Sequence, residues 1–530
     1  MTPLVQSVDW VAIAPPTITA LAGLAALVAD LFLPERRKPL LGGIAITGLL
    51  LAGLSLLPLA DGDRSTFCLT TGSGACSYEA DAFTLVMQLL VLGGALLTAV
   101  LSLHATPALP AGEYWFLLLS SAAGAALLPA SRDLATLVVA LEVVSLPAFA
   151  LVGLRRGDRL SSEAALKFFL SSVTATAVML LGISFVYAAT GGMHLTDVAD
   201  GLRETPGQLA AVARTGVVLT LVGFAFKIAA VPFHFWVPET YVGAPLPVAA
   251  YLSVVGKAAG LSGLAVVTVV AFPAYSHVWG PVLAVLAALT MTAGNVAALR
   301  QVPTGAHSAV RLLAWSSVGQ AGYLLVPLAA AAYTGTAGVT VGAAVAYALM
   351  YAAVNLGAFA VAAVVGRESA ANRITDYRAL YARRPFAALA LGFFLLCLAG
   401  LPPGVIGLFA KVVVFSSAVD AGLGWLAAVM ALNVAVALVY YLKWTALLFA
   451  RPAGAGAGAG AGGAPGEAAG APGAAPADRP AAPVPSPSPV PVPSPVPVSL
   501  TAAVALAAVA AVALSGAPQA VMRFASAALL

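Results

Sequence analysis

Fourteen stretches of this 530-residue chain are apolar over about the length that crosses a bilayer. A hydrocarbon core roughly 30 Å thick takes about 20 helical residues. Inside it every backbone N–H and C=O must find a partner within the protein, which leaves helices or closed barrels. The stretches occupy residues 11–33, 40–60, 82–103, 114–130, 133–154, 163–189, 211–235, 246–271, 278–299, 308–331, 337–365, 386–417, 421–449 and 499–516. The fourth is short, and the twelfth is long because Pro402-Pro403 interrupts it. Only 9% of the residues are charged, against about 25% in soluble domains. The expected fold is therefore an all-α polytopic membrane protein with about 14 transmembrane helices.

The basic residues set its expected orientation, because cytoplasmic loops retain lysine and arginine. With the N-terminus outside, and Arg214 at the outer end of the seventh stretch counted as outer, the inner loops hold 14 of the 25 lysines and arginines, the outer segments five, and the spans six. Both termini are thus expected outside. Cys68 and Cys76 then share an outer loop, where a disulfide and two free thiols both remain open readings. The first apolar stretch lacks a basic flank, so no cleavable signal is expected. Residues 1–450 read as one bundle, 451–498 as a disordered Gly/Ala/Pro-rich tether on the inner side, and 499–530 as a last transmembrane helix. No basic cluster points to nucleic acid, no His/Cys group has metal spacing, and no Gly-rich turn follows a strand.

Chemistry enters through residues 223–257, GFAFKIAAVPFHFWVPETYVGAPLPVAAYLSVVGK. Lys227 and Lys257 stand 30 residues apart in it, with Pro232, Pro238, Pro245 and Pro247 between them. A lysine at mid-bilayer depth costs roughly 2.5–3.5 kcal/mol on insertion scales. Proline removes a backbone donor, and freed backbone at that depth belongs inside protein or beside a hydrated cavity. Glu142 is central in DLATLVVALEVVSLPAFALVGL, and Lys411 follows the proline break in LAGLPPGVIGLFAKVVVF. One carboxylate and three amines at depth read as a chain of proton sites, with a static counter-ion pair as the competing structural reading. In general a low dielectric disfavours an amine's charged form and a nearby carboxylate favours it. Moving Glu142 relative to a lysine would therefore switch that lysine between holding and releasing a proton.

The remaining ionisable residues carry weaker expectations. Lys167 follows Glu163 by one turn, which fits a surface ion pair or a proton entry point. His234, in PFHFW beside a helix break, is a candidate relay or a hydrogen-bonded fixture. Lys443 and Arg311 lie near span ends and can snorkel to the headgroups. Proline breaks in the seventh and twelfth spans, five spans apart, point to an inverted repeat of spans 4–8 and 9–13.

These segments resemble the antiporter-like membrane subunits of respiratory complex I, and within that family the N-type subunits of bacterial NADH:quinone oxidoreductase. LEVVSLPAFALVG is similar to their fifth helix with its glutamate, and EAALKFFL to the sixth with Lys167. FKIAAVPFHFWVPETYVGAPLPVAAYLSVVGK resembles the broken seventh helix and the eighth, with Lys227, His234 and Lys257. GNVAALRQ and RLLAWSSVGQAGY resemble the ninth and tenth helices, LAGLPPGVIGLFAK the broken twelfth with Lys411, and NVAVALVYYLK the thirteenth. The similarity covers most of residues 80–450. Two departures stand out: VPTGAHSAV lengthens the link before Arg311, and Gln320 stands where related subunits often have histidine, which leaves the central relay to water.

The resemblance implies a proton-translocating subunit of a bacterial cell membrane with no redox chemistry on this chain. NADH, FMN, iron–sulfur clusters and quinone would belong to partner subunits, and the partners would be the other membrane and peripheral subunits of complex I and the bilayer. Protons would enter past Lys167, load Lys227 beside Glu142, pass to Lys257 and leave from Lys411. A subunit of a multisubunit sodium/proton antiporter is the alternative on the same fold. A structural subunit with an inactive channel is the third reading.

Overall fold

The computed structural model describes residues 7–70, 73–105, 109–451, 495–525 and 529–530. The expected tether at 451–498 lies almost wholly outside them. The described chain is a helical bundle: α1 (Ala14–Phe32), α2 (Pro39–Leu54), α3 (Ala82–Ser102), α4 (Ala111–Leu127), α5 (Leu134–Val152), α6 (Arg159–Thr190), the short α7 (Leu195–Arg203), α8 (Ala210–Ile228), α9 (Trp236–Gly243), α10 (Leu246–Ala271), α11 (Ser276–Leu299), α12 (Ser308–Ala331), α13 (Ala337–Gly366), α14 (Leu380–Arg383), α15 (Pro385–Ala399), α16 (Val405–Asp420), α17 (Gly424–Leu448), α18 (Val498–Gly516) and α19 (Gln519–Ala525). Among the described residues 13 helical segments are long and apolar enough to cross a membrane. The remaining expected span, the twelfth, is the pair α15 and α16, broken at Pro402-Pro403. α12 and α13 are buried almost all round and form the bundle's centre, whereas α1 and α18 lie at its edge.

Among the elements that the apolar stretches did not announce is a hairpin between α2 and α3. Strands β1 (Arg64–Cys68) and β2 (Cys76–Ala80) pair antiparallel with Thr66 opposite Tyr78 and Cys68 opposite Cys76. The two cysteines are joined as a disulfide, which decides between the two open readings. Arg132 fastens the hairpin to the α4–α5 turn: its guanidinium donates to Glu79 at 3.1 Å, Asp81 at 2.5 Å and the Pro129 carbonyl at 2.8 Å. The Asp9 amide donates to Thr66 at 3.1 Å, so the N-terminal segment and the hairpin share one face of the bundle.

Both breaks fall where the sequence placed them, and each has a local cause. α8 stops at Ile228 because Ala229 turns into the left-handed region (φ 67°) and Pro232 brings no donor. The stranded groups find partners: Trp236 Nε1 donates to the Phe226 carbonyl at 3.1 Å, and the Val231 amide donates to Thr290 Oγ1 at 2.9 Å. α15 stops at Gly400 (φ 83°), a conformation that suits glycine. The lengthened link at 302–310 is also anchored. His307 and Ala309 amides donate to the Ala371 and Asn372 carbonyls, and Ser308 Oγ accepts from the Ile374 amide at 3.0 Å.

The second break closes through glycine. A Cβ at Gly407 would stand 1.9 Å from the Cys397 carbonyl oxygen, so α16 crosses the end of α15 at backbone contact. Small residues permit such approach between membrane helices. Gly407→Ala is expected to cost at least the 1–3 kcal/mol typical of overpacking, because the obstacle is backbone. The yield of assembled protein on a native gel should fall several-fold.

Candidate functional site

Lys227 occupies the last turn of α8, is 7% exposed, and is walled by the Phe149 and Phe226 rings. Its amine donates to Ser145 Oγ on α5 at 2.6 Å and to Ser172 Oγ on α6 at 2.7 Å. Glu142 lies three residues before Ser145, and its Oε1 accepts from Thr176 Oγ1 at 2.8 Å. Thr176 in turn lies four residues beyond Ser172. The same two helices thus hold the carboxylate in one layer and the amine in the next. No ion pair within 4.0 Å joins Glu142 to Lys227 among the described residues. The two serines give the amine its own seat, so carboxylate and amine interact across roughly one turn of helix. Glu142 is only half-buried, on a face where Val139 and Leu146 are exposed.

Lys257 is 1% exposed and starts the second α-helical stretch of α10, directly after a π-helical turn at Leu252–Gly256. Such turns recur at functional sites. Its amine donates to the Ser317 carbonyl on α12. α10 and α8 meet at Gly260, where a Cβ would stand 2.9 Å from Lys227 Cβ. The two lysines therefore sit on helices in direct contact. No side chain bridges their amines among the described hydrogen bonds.

Beyond Lys257 the bundle centre is polar. Ser317 Oγ bonds Tyr351 OH at 2.8 Å. One turn back on α13, Tyr347 OH donates to Gln320 Oε1, and Gln320 Nε2 donates to Tyr441 OH at 3.1 Å. The Tyr440 ring lies 4.4 Å from that of Tyr441, and Tyr440 OH donates to Asn295 Oδ1 at 2.9 Å. Asn295 Nδ2 donates to Tyr323 OH at 3.3 Å, and the Tyr323 ring lies 5.5 Å from the Lys411 amine. Gln320, expected to leave the centre to water, is held between two tyrosines. The sequence reading missed Tyr323, Tyr347, Tyr351, Tyr440 and Tyr441. A usable signal was present, since phenols in the middle of membrane spans need partners once buried.

Lys411 is 5% exposed and does not snorkel outward. Its amine donates to the Leu398 and Ala399 carbonyls, each at 2.8 Å. In an unbroken helix those carbonyls would accept from residues 402 and 403, which are prolines without an N–H. The lysine supplies the two donors that the prolines remove. Both Lys227 and Lys411 thus lie at the C-terminal, negative ends of half-helices.

The other sequence candidates fall outside this row. Lys167 is 51% exposed and bonds Glu163 at 2.7 Å on the outer surface of α6, which is the surface-pair reading. His234 sits at the break between α8 and α9, half-buried, its ring 5.4 Å from Trp315 and its buried Nδ1 without a partner. Arg311 pairs with Glu239 of α9 at 3.5 Å, a partner the sequence reading did not consider. Lys443 is exposed.

A multi-pass bundle with two broken helices, in which buried amines stand among neutral polar side chains, has the form of an antiporter-like membrane subunit. Residues 131–437 match the model of the NADH:quinone oxidoreductase/Mrp antiporter transmembrane family. NADH-quinone oxidoreductase subunit N 2 of Streptomyces griseus is 70% identical over 99% of this chain and 95% of its own. A chain of the respiratory complex I of Thermus thermophilus, solved with bound aureothin, superposes with a TM-score of 0.70 at 31% identity, covering 96% of this chain and 98% of that one. A chain of the Mrp complex from a Dietzia species shares the fold, with a TM-score of 0.76 at 21% identity over 97% and 96%. The chain belongs to the NADH:quinone oxidoreductase/Mrp antiporter family of membrane subunits.

Proposed function

We propose that this chain is the N-type, proton-translocating membrane subunit of an NADH:quinone oxidoreductase, and that Glu142, Lys227, Lys257 and Lys411 carry its protons. The observation that carries the reading is the row of three nearly inaccessible amines, with buried hydroxyl and amide side chains lying between two of them. A bracing role alone needs one partner per amine and no such row. NADH, FMN, iron–sulfur clusters and quinone belong in this reading to neighbouring subunits. The termini lie outside a bacterial cell membrane, and protons travel from the inner face outward. The sodium/proton antiporter alternative rests on a likeness at 21% identity, which reaches no further than the fold.

Glu142 is the control point. Two unit charges about one turn apart interact by roughly 3 kcal/mol at an effective dielectric of 20. Lifting one charge against 100 mV takes about 2.3 kcal/mol. A change in the position or charge of Glu142, imposed at its half-exposed face by an adjoining subunit, is therefore large enough to load or unload Lys227. The proton then crosses to Lys257 through intervening water, the usual bridge between polar groups beyond direct reach. From Lys257 it follows the serine, tyrosine and glutamine hydroxyls and amides toward Lys411. Glu142→Gln keeps the Thr176 hydrogen bond and removes the charge. In the assembled complex it should lower the proton-to-electron ratio several-fold at unchanged subunit content, measured with a pH dye in inside-out vesicles. An unaltered ratio would count against the reading.

A further inference from the structure

On the inner side, where α3, α5, α10, α13 and α18 end or begin, lies a cavity of about 470 Å³. Its polar lining is Arg155, Arg367 and His104, and the rest is apolar, including Leu101, Ala363 and Leu500. A second cavity of about 280 Å³, lined entirely by apolar side chains and glycines, lies further along α3, α13 and α18. The helical stripes agree between the two. Leu101 of the first stands one turn from Leu97 of the second. Ala363 and Leu500 stand two turns from Leu356 and Ala507. Each of the three helices thus gives one face to both cavities. From Leu500 to Ala510 of α18 the seam runs about 15 Å, which is one leaflet of a core roughly 30 Å thick. It ends near the middle of each helix.

We infer that this seam holds one anionic phospholipid of the inner leaflet, its phosphate between Arg155 and Arg367 and an acyl chain along the α3/α13/α18 groove. The charges favour that occupant. Among the described residues the carboxylate paired with Arg155 is that of Asp158, at 3.9 Å, which also caps the N-terminus of α6. Arg367 donates to the neutral Pro495 carbonyl at 3.2 Å. Burial and then the Arg367 charge hold the His104 imidazole below its ordinary range, and burial does the same to Arg155 against the pull of Asp158. Among the described residues the cluster thus sets two guanidinium charges against one carboxylate, which leaves it net positive. A partner's transmembrane helix would need a groove crossing the whole bilayer, whereas this one stops halfway. Basic pockets between helices at the cytoplasmic side are a recognised form of headgroup site. The lipid would also tie the inner end of α5, which carries Glu142, to the start of α10, which carries Lys257.

The test uses the full chain in its native assembly, incorporated into nanodiscs of phosphatidylcholine with a minority of phosphatidylglycerol, then re-extracted and washed in mild detergent. Native mass spectrometry should find phosphatidylglycerol retained by the wild type. Retention should drop about tenfold in Arg155→Gln/Arg367→Gln, and equally in Leu97→Trp, which fills the tail groove and leaves the charges. Equal retention of phosphatidylcholine, of inorganic phosphate alone, or of lipid by all three proteins would overturn the inference. So would a benzophenone side chain at Leu506 that crosslinks to residues 452–494 rather than to lipid.

Discussion

Lys227→Met is expected to cut redox-driven proton pumping at least tenfold while assembly stays near the wild-type level. The two halves of that expectation rest on different physics. Met has nearly the volume of the lysine stem and tolerates irregular apolar surroundings. The walls here are Phe149 and Phe226, and the polar partners among the described residues are two hydroxyls. Ser145 keeps its own bond to the Leu141 carbonyl at 2.5 Å. Replacing a buried ion by an apolar side chain of similar volume is often neutral or stabilising. Transfer is another matter. Without the amine a proton must cross the low-dielectric gap toward Lys257 with no site to rest on. A desolvation penalty of several kcal/mol per ion, at about 1.4 kcal/mol per decade of rate, gives the tenfold floor. The measurement is the proton-to-NADH ratio in vesicles, with a native gel as control. Full pumping in Lys227→Met would remove Lys227 from the relay.

How much of this was legible beforehand depended on the kind of signal. Apolar runs near 20 residues place helices well, because the bilayer fixes their length. Proline pairs place breaks, because the missing donors are a local property. Lysines and a glutamate in such runs announce themselves as candidates by their cost. Partners were not legible. That Ser145 and Ser172 separate Lys227 from Glu142 depends on how α5, α6 and α8 pack. That Lys167 faces outward depends on which face of α6 meets the bundle. The tyrosines were overlooked because phenols read as apolar bulk until burial makes their hydroxyls a problem. The β1–β2 hairpin was missed because two five-residue strands between two helices leave no trace in a 20-residue window.

Lys411 allows brace and carrier to be separated. Its amine holds the Leu398 and Ala399 carbonyls that Pro402 and Pro403 strand, so Lys411→Met should lose two charge-assisted hydrogen bonds. At roughly 1.5–3 kcal/mol each and with partial relaxation, about 3 kcal/mol is the expected cost. The assembled complex should lose thermal stability and pumping together. Lys411→Arg keeps a cation with donors for both carbonyls, and a guanidinium can stack on the Tyr323 ring as the ammonium does. It cannot give up its proton at any physiological pH. Stability should therefore return in Lys411→Arg while pumping stays at the level of the Met variant. The paired measurement is melting of the complex and proton-to-electron ratio on the same preparations. If Lys411→Arg restored both, the amine would be a helix cap and nothing more, and the outward end of the proton route would have to be sought among the phenols of α12, α13 and α17. If stability returned alone, one side chain would be shown to close the broken helix in one protonation state and release its proton from the same position.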